Sequence, residues 1–511
     1  MIKELMSDLR VKALMTKIFM QGVQISPEFL NILLKNEDTA VKILEDILKK
    51  LSTMENKPLI ITPEFISDLS RKEEEIDVKN LAEEITIVFE PTEHILRTPL
   101  SKDFREYFIS RYKKLRKILL SERYDARGAI NIQDLSNKKT MEALENKIKI
   151  ICIVSEKRAG KNMITFNVED LTGEITVLVT AKNAELLQKA QNIIPNEVIC
   201  VEGILIDERK MLATDILQPE IPKQVNNVYE KGNGPDIYAV LISDLHIGSR
   251  FFMRYAFNKF LLWLNGLFGD AKLKSFAKRI KYVVIAGDIV DGIGIYPGQE
   301  KELAIKDLKK QYEVAAYYLS QIPQHIKIII VPGNHDATRQ ALPSTTLYKE
   351  YAAPLYKLSN VIIMGDPAYI RLHKSLFLVT HGKSLDDIMV NIANLKYETP
   401  AKAMIELLKR RHLAPVYGGR TLIAPEEEDL MVIEKIPNVF HAGHVHTFEY
   451  EYYKGVTVVN SGTWQEQTEY MRNMGIHPNK AKAVLINLNN NSVQAVINFE
   501  EELECGEDQA V

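Results

Sequence analysis

The sequence predicts a multidomain chain: a small α-helical N-terminal domain, then a small β-barrel, then a large α/β layered sandwich. Three observations carry that reading. At 511 residues the chain is longer than one hydrophobic core ordinarily organises. Residues 147–221 break into short β-branched runs separated by turn residues. From residue 238 to 486, near-continuous apolar runs alternate with helical stretches, the pattern of strands buried on both faces.

Residues 1–70 place Leu5, Leu9, Ala13, Leu14 and Ile18, then Phe29, Leu30, Leu33 and Leu34, at helical spacing, with Ser26-Pro27-Glu28 as a helix start. Such a domain serves equally as a structural appendage or as a partner-docking module. Residues 71–140 read as a linker and a basic helix. The part up to about residue 103 is charged, holds Pro91 and Pro99 and lacks periodicity. The helix from Asp103 to Ser121 sets Phe104, Tyr107, Phe108, Tyr112, Leu115 and Leu119 on one stripe beside Arg111, Lys113, Lys114, Arg116 and Lys117, so a solvated cationic face over a buried stripe is expected.

Residues 141–222 carry strands at 148–154, 163–168, 175–179, 198–206 and 211–217, with a helix at 181–193 between the third and fourth. That order is the order of an OB-fold, and Gly173 suits its tight hairpin turn. Phe166 is the one aromatic within those runs, so a protein-binding or spacer role is at least as well supported as base stacking on a single strand. After a polar linker at 222–235, residues 236–500 form the sandwich. Its strands are expected at 238–242, 282–286, 326–331, 361–364, 376–379, 439–440, 456–459 and 483–486, with helices including 256–267 and 302–319.

Composition narrows the function. With 46% hydrophobic and 26% charged residues the chain is an ordinary globular one. A net charge of −3 supplies no strong positive field, so a nucleic-acid substrate would need a partner to hold it. Three scattered cysteines point to a reducing, cytoplasmic setting. The first residues lack an apolar run of the secretory type, and no segment has the length of a membrane span.

Five short motifs follow apolar strands, where a layered sheet gathers its ligand-binding loops: Asp244-Leu-His246, Asp288-Ile-Val-Asp291, Gly333-Asn334-His335-Asp336, Thr380-His381-Gly382 and Gly443-His444-Val-His446. Residues two apart in extended chain point the same way, which makes Asp-x-His and His-x-His natural chelating pairs. One divalent ion is assigned to Asp244, His246, Asp288 and His446, and a second to Asp288, Asn334, His381 and His444, with Asp288 bridging. Two aspartates against two divalent ions leave net positive charge for a phosphodiester oxygen, a hydrolase layout. His335, surplus to the ligands, is expected to act as general acid, with Asp336 orienting it and raising its pKa. Asp291 is expected to support the site by holding a ligand or a helix terminus. His94, His325, His373, His412 and His477 read as structural, as does His441, which is on the opposite phase from His444.

These segments resemble the calcineurin-like metallophosphoesterases, whose pattern is D-x-H, G-D-x-x-D, G-N-H-D/E, H and G-H-x-H. The resemblance implies a four-layer α/β sandwich. Gly292 stands where the protein phosphatases carry arginine, and Asp336 where they carry glutamate, which looks more like the nuclease branch. A barrel directly before such a domain, together with Arg411-His-Leu-Ala-Pro-Val-Tyr-Gly-Gly-Arg420, Phe440–His446 and Asn460-Ser-Gly-Thr-Trp-Gln465, is similar to the small subunits of archaeal family D DNA polymerases over about residues 100–490. That likeness implies a 3′–5′ proofreading exonuclease working beside a large catalytic polymerase subunit on a DNA primer 3′ end, with the sliding clamp as a further candidate partner. It implies two divalent ions, manganese as the working metal, and the donor set also suits iron or zinc. The alternatives are a free-standing phosphodiesterase or phosphatase, and a polymerase scaffold with a vestigial site.

Overall fold

The structure is a computed structural model that describes residues 9–35, 37–53, 60–62, 78–95, 101–137, 147–222, 235–473 and 475–500. The chain divides into two units, residues 1–76 and residues 77–511. In the first, helices Leu9–Phe19, Pro27–Lys35 and Glu37–Thr53 bury Val11, Met15, Ile18, Phe29, Leu33, Leu44 and Ile47 against one another. The Ser26 hydroxyl accepts the Phe29 N–H at 3.2 Å, the capping that the Ser-Pro-Glu start implied. A short parallel pair, β1 (Gln24–Ile25) and β2 (Ile60–Ile61), ties the ends of this unit. Leu5 and residues 63–70 of the expected helical domain lie outside the described residues.

In the second unit the expected linker contributes structure: β3 (Ile85–Phe89) is the edge strand of a sheet in the sandwich. Its burial does not alternate, with adjacent Thr86 and Ile87 exposed and Ile85, Val88 and Phe89 half-buried, so no periodicity announced it. The helix Ser101–Glu122 buries the expected stripe at Tyr107, Tyr112, Leu115 and Leu119, but its basic face is not uniformly solvated. Arg111 is fully buried, its Nε 2.7 Å from Asp429 Oδ2, and Lys114 pairs with Glu428 and Glu434.

Strands β4 (Ile148–Ala159), β5 (Met163–Glu169), β6 (Glu174–Thr180), β7 (Val198–Asp207) and β8 (Lys210–Leu217) close a barrel in the order β4-β5-β6-β8-β7. Asp170 Oδ1 accepts the Thr172 and Gly173 N–H groups in the β5–β6 turn. Between β6 and β7 the helix Ala184–Gln191 is capped by Asn183. Phe166 points into the barrel core and is fully buried.

The sandwich contains two six-stranded sheets. Strands β9 (Tyr238–Ile242), β10 (Ile280–Ala286), β11 (Lys327–Val331) and β12 (Val361–Ile363) are mutually parallel in one. The other holds β13 (Ala368–Leu372), β14 (Ser375–Val379), β15 (Val439–Ala442), β16 (Phe448–Tyr453) and β17 (Val456–Ser461), with β14, β15 and β17 parallel and β3 at its edge. Antiparallel β18 (Lys482–Asn487) and β19 (Ser492–Asn498) complete the first sheet. Leu241, Val284 and Ile329 from one sheet share a core with Phe377, Val379 and Val459 from the other. On the outer face of the first sheet, Val240, Val283 and Ile330 pack on helices Arg254–Leu264 and Leu308–Leu319. On the outer face of the second, Leu378, Phe440 and Val458 pack on helices Leu385–Asn391 and Pro400–Arg410. Helix Leu308–Leu319 starts later than the expected residue 302, because Asp307 caps it while the N–H groups of Ala304 and Ile305 go to Gly248 O. The buried pair Arg410–Glu197 and the pair of buried Arg411 with Glu122 join barrel and helix to the sandwich. No helix among the described residues is long and apolar enough to cross a membrane.

Candidate metal centre

Each motif residue lies just past the C-terminal end of a strand that runs parallel to at least one neighbour, so five loops meet at one rim. The backbone there is not extended. Asp244, His246, Asp288, His444 and His446 all have φ between 50° and 73°, in the left-handed region. Their side chains converge because the loops kink at each ligand, and not through the extended alternation that the spacing of two suggested. Gly333 is required by close approach, since a Cβ there would collide with the Asp288 carboxylate.

Among the described residues, three sets of potential ligand atoms come together: Asp244, His246 and His446; Asp244, Asp288 and His381; and His246, Asp288 and His335. His246 Nε2 and His446 Nε2 face each other at 3.0 Å, and His446 Nε2 is 3.3 Å from Asp244 Oδ1. Asp288 Oδ2 lies 3.2 Å from His381 Nε2 and 3.8 Å from His246 Nε2, so it stands between the two groups assigned from the sequence. Asn334 Oδ1 is 3.0 Å from His381 Nε2 and 3.1 Å from His444 Nδ1. All seven assigned ligands are therefore gathered at one place, with nitrogen and oxygen donors only.

Imidazole, carboxylate and amide donors converging in this way, in a site where Asp244 and His381 are fully buried, could hold divalent first-row cations in place of the protons. Charge is balanced within the protein itself. Burial would raise the Asp288 pKa, but the His381, His335 and His246 imidazoles hold it well below the usual carboxylate range. Burial opposes charge on His381 as well, yet the Asp288 carboxylate brings its pKa up to about 9.

The outer ring orients the ligands. Asp291 Oδ1 lies 3.0 Å from His246 Nδ1 and accepts from the Gln465 amide, while the Asp291 carbonyl accepts from Gln299. Asp386 Oδ2 is 3.2 Å from His444 Nε2, and Asp366 accepts the His381 N–H. The sequence did not single out Asp386, Asp366, Gln299 or Gln465 as site residues. Asp386, five residues after His381 in the first turn of a helix, is the one whose position could have flagged it.

Two expectations are corrected. Asp336 does not orient His335: its carboxylate accepts the N–H groups of Gly333, Ile289 and Val290 and the Tyr312 hydroxyl, clamping the loops after β10 and β11 together. His335 is oriented by the Asp291 carbonyl, 2.7 Å from its Nδ1, which fixes a proton on Nδ1 and leaves Nε2 3.9 Å from Asp288 Oδ2. Its pKa is lowered by burial, not raised. His412 and His441 are structural, the first against Asp429 and the second against Ser461.

Above the ligands opens a cleft of about 270 Å³ lined by Tyr296, His335, Tyr397, Arg420, Gln465 and Tyr470, among others. Gly292, with φ of 70°, lies beneath it. A Cβ there would strike the His335 carbonyl, so this backbone excludes the arginine of the phosphatases.

Residues 239–450 match the family of DNA polymerase alpha/epsilon B-subunits. The DNA polymerase II small subunit of Archaeoglobus fulgidus is 40% identical over 85% of this chain and 84% of its own length. That of Pyrococcus furiosus is 41% identical over 78% of this chain, a match spanning 63% of the relative's length. A solved archaeal phosphodiesterase aligns with 51% of this chain and 100% of its own, at 14% identity and a TM-score of 0.27.

Proposed function

Since the chain belongs to the family of archaeal DNA polymerase II (family D) small subunits, we propose that it is the 3′–5′ exonuclease subunit of a two-subunit replicative polymerase, hydrolysing DNA phosphodiester bonds at a binuclear metal centre. The observation that carries this reading is the complete convergence of Asp244, His246, Asp288, Asn334, His381, His444 and His446, with Asp288 between the two groups. The barrel is an OB-fold and the sandwich a metallophosphoesterase fold in this account.

Two divalent ions, manganese first among iron and zinc, supply Lewis-acid charge for the phosphodiester and lower the pKa of nearby water. The chain's own residues do the rest. Asp291 fixes the tautomer and angle of His246, and Asp386 does the same for His444. His335, its Nδ1 held by the Asp291 carbonyl and its Nε2 beside Asp288, passes a proton to the departing 3′ oxygen; its lowered pKa makes the charged ring the stronger acid and the rarer form. The large catalytic subunit presents the primer end and adds to the weak affinity that a chain of net charge −3 has for DNA on its own.

The full chain, with manganese, should shorten a 5′-labelled oligonucleotide one nucleotide at a time from its 3′ end. His335→Ala should abolish that cleavage while two ions remain bound. Turnover of a chromogenic diester without shortening of DNA would favour a free-standing phosphodiesterase. Fewer than two ions bound and no activity would leave a vestigial scaffold.

A further inference from the structure

The cleft over the ligands carries two features that the metal centre does not use. One is an aromatic platform. The rings of Tyr296 and Tyr470 stack with centroids 5.3 Å apart and planes 28° from parallel. Tyr470 is 49% exposed, while Tyr296 is half-buried behind it with its hydroxyl donating to Glu302 Oε2 at 2.6 Å. The other Glu302 oxygen accepts the Glu469 N–H, so one carboxylate fixes both rings to the same wall. No third ring fits between planes this close, which leaves the outer face of Tyr470 as the accessible one.

The second feature is a lone cation. Arg420 is the single Lys or Arg lining the cleft among the described residues, and its charge reaches the Asp386 carboxylate, whose pKa it helps to lower, without closing a salt bridge. Its loop is nevertheless fixed, because the Asp387 carboxylate accepts the N–H groups of Arg420 and Thr421 at 2.7 and 3.0 Å. The neighbouring Asp386 lies against the metal-ligand candidate His444 and accepts the Tyr397 hydroxyl. One short helix thus sets the rim cation and a ligand together.

An aromatic face and an exposed guanidinium beside a candidate metal centre are what a nucleotide with an exposed base requires. We propose that this cleft seats the terminal nucleotide of a single DNA strand, its base stacked on Tyr470 and a backbone phosphate against Arg420, with Tyr296 as a positioning residue behind the platform. This rests on the nuclease reading above. A base inside a duplex must first be unstacked to present its face, so frayed ends enter at lower cost.

The test is binding of a fluorescently labelled deoxythymidine oligonucleotide to the full chain in calcium, read by anisotropy, with shortening in manganese measured alongside. A second oligonucleotide has an abasic 3′ end. In the native protein, loss of the terminal base should weaken binding about tenfold, and Tyr470→Ala should do the same for the intact end but add nothing further for the abasic one. Tyr470→Phe should restore the native preference. Arg420→Ala should weaken both oligonucleotides and reduce the slope of log Kd against log salt by about 0.7, with Arg420→Lys recovering most of it. Additive effects of Tyr470→Ala and base removal, or none, overturn the stacking contact, and an unchanged salt slope overturns the phosphate contact. Base discrimination that depends on Tyr470, with no shortening in manganese, would sink the exonuclease reading and leave the nucleotide seat standing.

Discussion

Acid should loosen the sandwich through His412. The ring is buried, with Nδ1 3.0 Å from the Ala414 backbone nitrogen and Nε2 2.8 Å from Asp429 Oδ2. An amide N–H only donates, so Nδ1 accepts and the neutral ring carries its proton on Nε2, toward the carboxylate. Charging His412 means forcing a hydrogen between Nδ1 and that N–H, in a dry site beside Arg111. Burial, and after it the Arg111 charge, lower the pKa from 6.5 to about 4. For a base depressed in the folded state, the unfolded chain takes up the proton first. Stability is therefore full above about pH 6.5 and falls as the pH drops toward 4. Linkage with those two values gives a loss of roughly 2.5 kcal/mol between about pH 7.5 and about pH 4.5. Urea unfolding followed by tryptophan fluorescence reads this unit, because both tryptophans, Trp263 and Trp464, lie in the core of the sandwich. His412→Gln keeps a donor for Asp429 and does not titrate. It should cost about 1–2 kcal/mol near neutrality, from the orphaned Ala414 N–H, and the gap to the native protein should close on acidification. Parallel pH profiles of the two proteins, within roughly 0.5 kcal/mol, would refute the assignment.

Asp288→Asn should lose both ions together with activity, and isothermal titration showing two ions retained would contradict a shared carboxylate. Asp291→Asn leaves every ligand in place but weakens the orientation of His246, so metal affinity should fall about 10–100-fold in the same titration. Gly333→Ala drives a methyl group into the Asp288 carboxylate; unfolding midpoints by tryptophan fluorescence should fall by an amount equivalent to about 1–3 kcal/mol, with metal binding lost as well.

The central strands were legible because both of their faces are buried: no residue of Tyr238–Ile242 or of Ile280–Ala286 is exposed, and Lys281 alone interrupts the apolar runs, its ammonium donating to the Val78 and Leu81 carbonyls. The edge strands were not. Phe448–Tyr453 alternates aromatic and acidic side chains at an exposed margin, and Ile85–Phe89 pairs with β13 from nearly three hundred residues away, which no local pattern records. The candidate ligands were legible from residue type and order, since few other chemistries use Asp-x-His, Asn-His and His-x-His at successive strand ends. Their orienting partners were not, because Gln299, Gln465 and Asp366 carry no spacing relation to the ligands they support. Arg111 was misplaced for a related reason. Its partner Asp429 lies 318 positions away, and a guanidinium without a visible partner reads as solvated.

The left-handed backbone at five of the ligands bears on what fixes the site. Such a conformation costs a non-glycine residue roughly 1–2 kcal/mol, so each position must be held by its surroundings. The loops after β9 and β10 continue the parallel pairing of their strands beyond the sheet: Asp244 N–H donates to Gly287 O, His246 N–H to Asp288 O, Ile247 N–H to Ile289 O and Asp291 N–H back to Ile247 O, at 2.9–3.0 Å. The Trp464 N–H and the Thr463 hydroxyl both donate to Asp244 O, the Asn479 N–H donates to His446 O, and the His444 N–H donates to the Asp244 carboxylate. At about 1 kcal/mol for each buried backbone hydrogen bond, these contacts match the conformational cost they accompany. The convergence of donor atoms is then a property of the paired loops, which aim the candidate ligands by themselves. On that argument Thr463 and Asn479, which touch no ion-binding atom, belong to the site as fully as the histidines do.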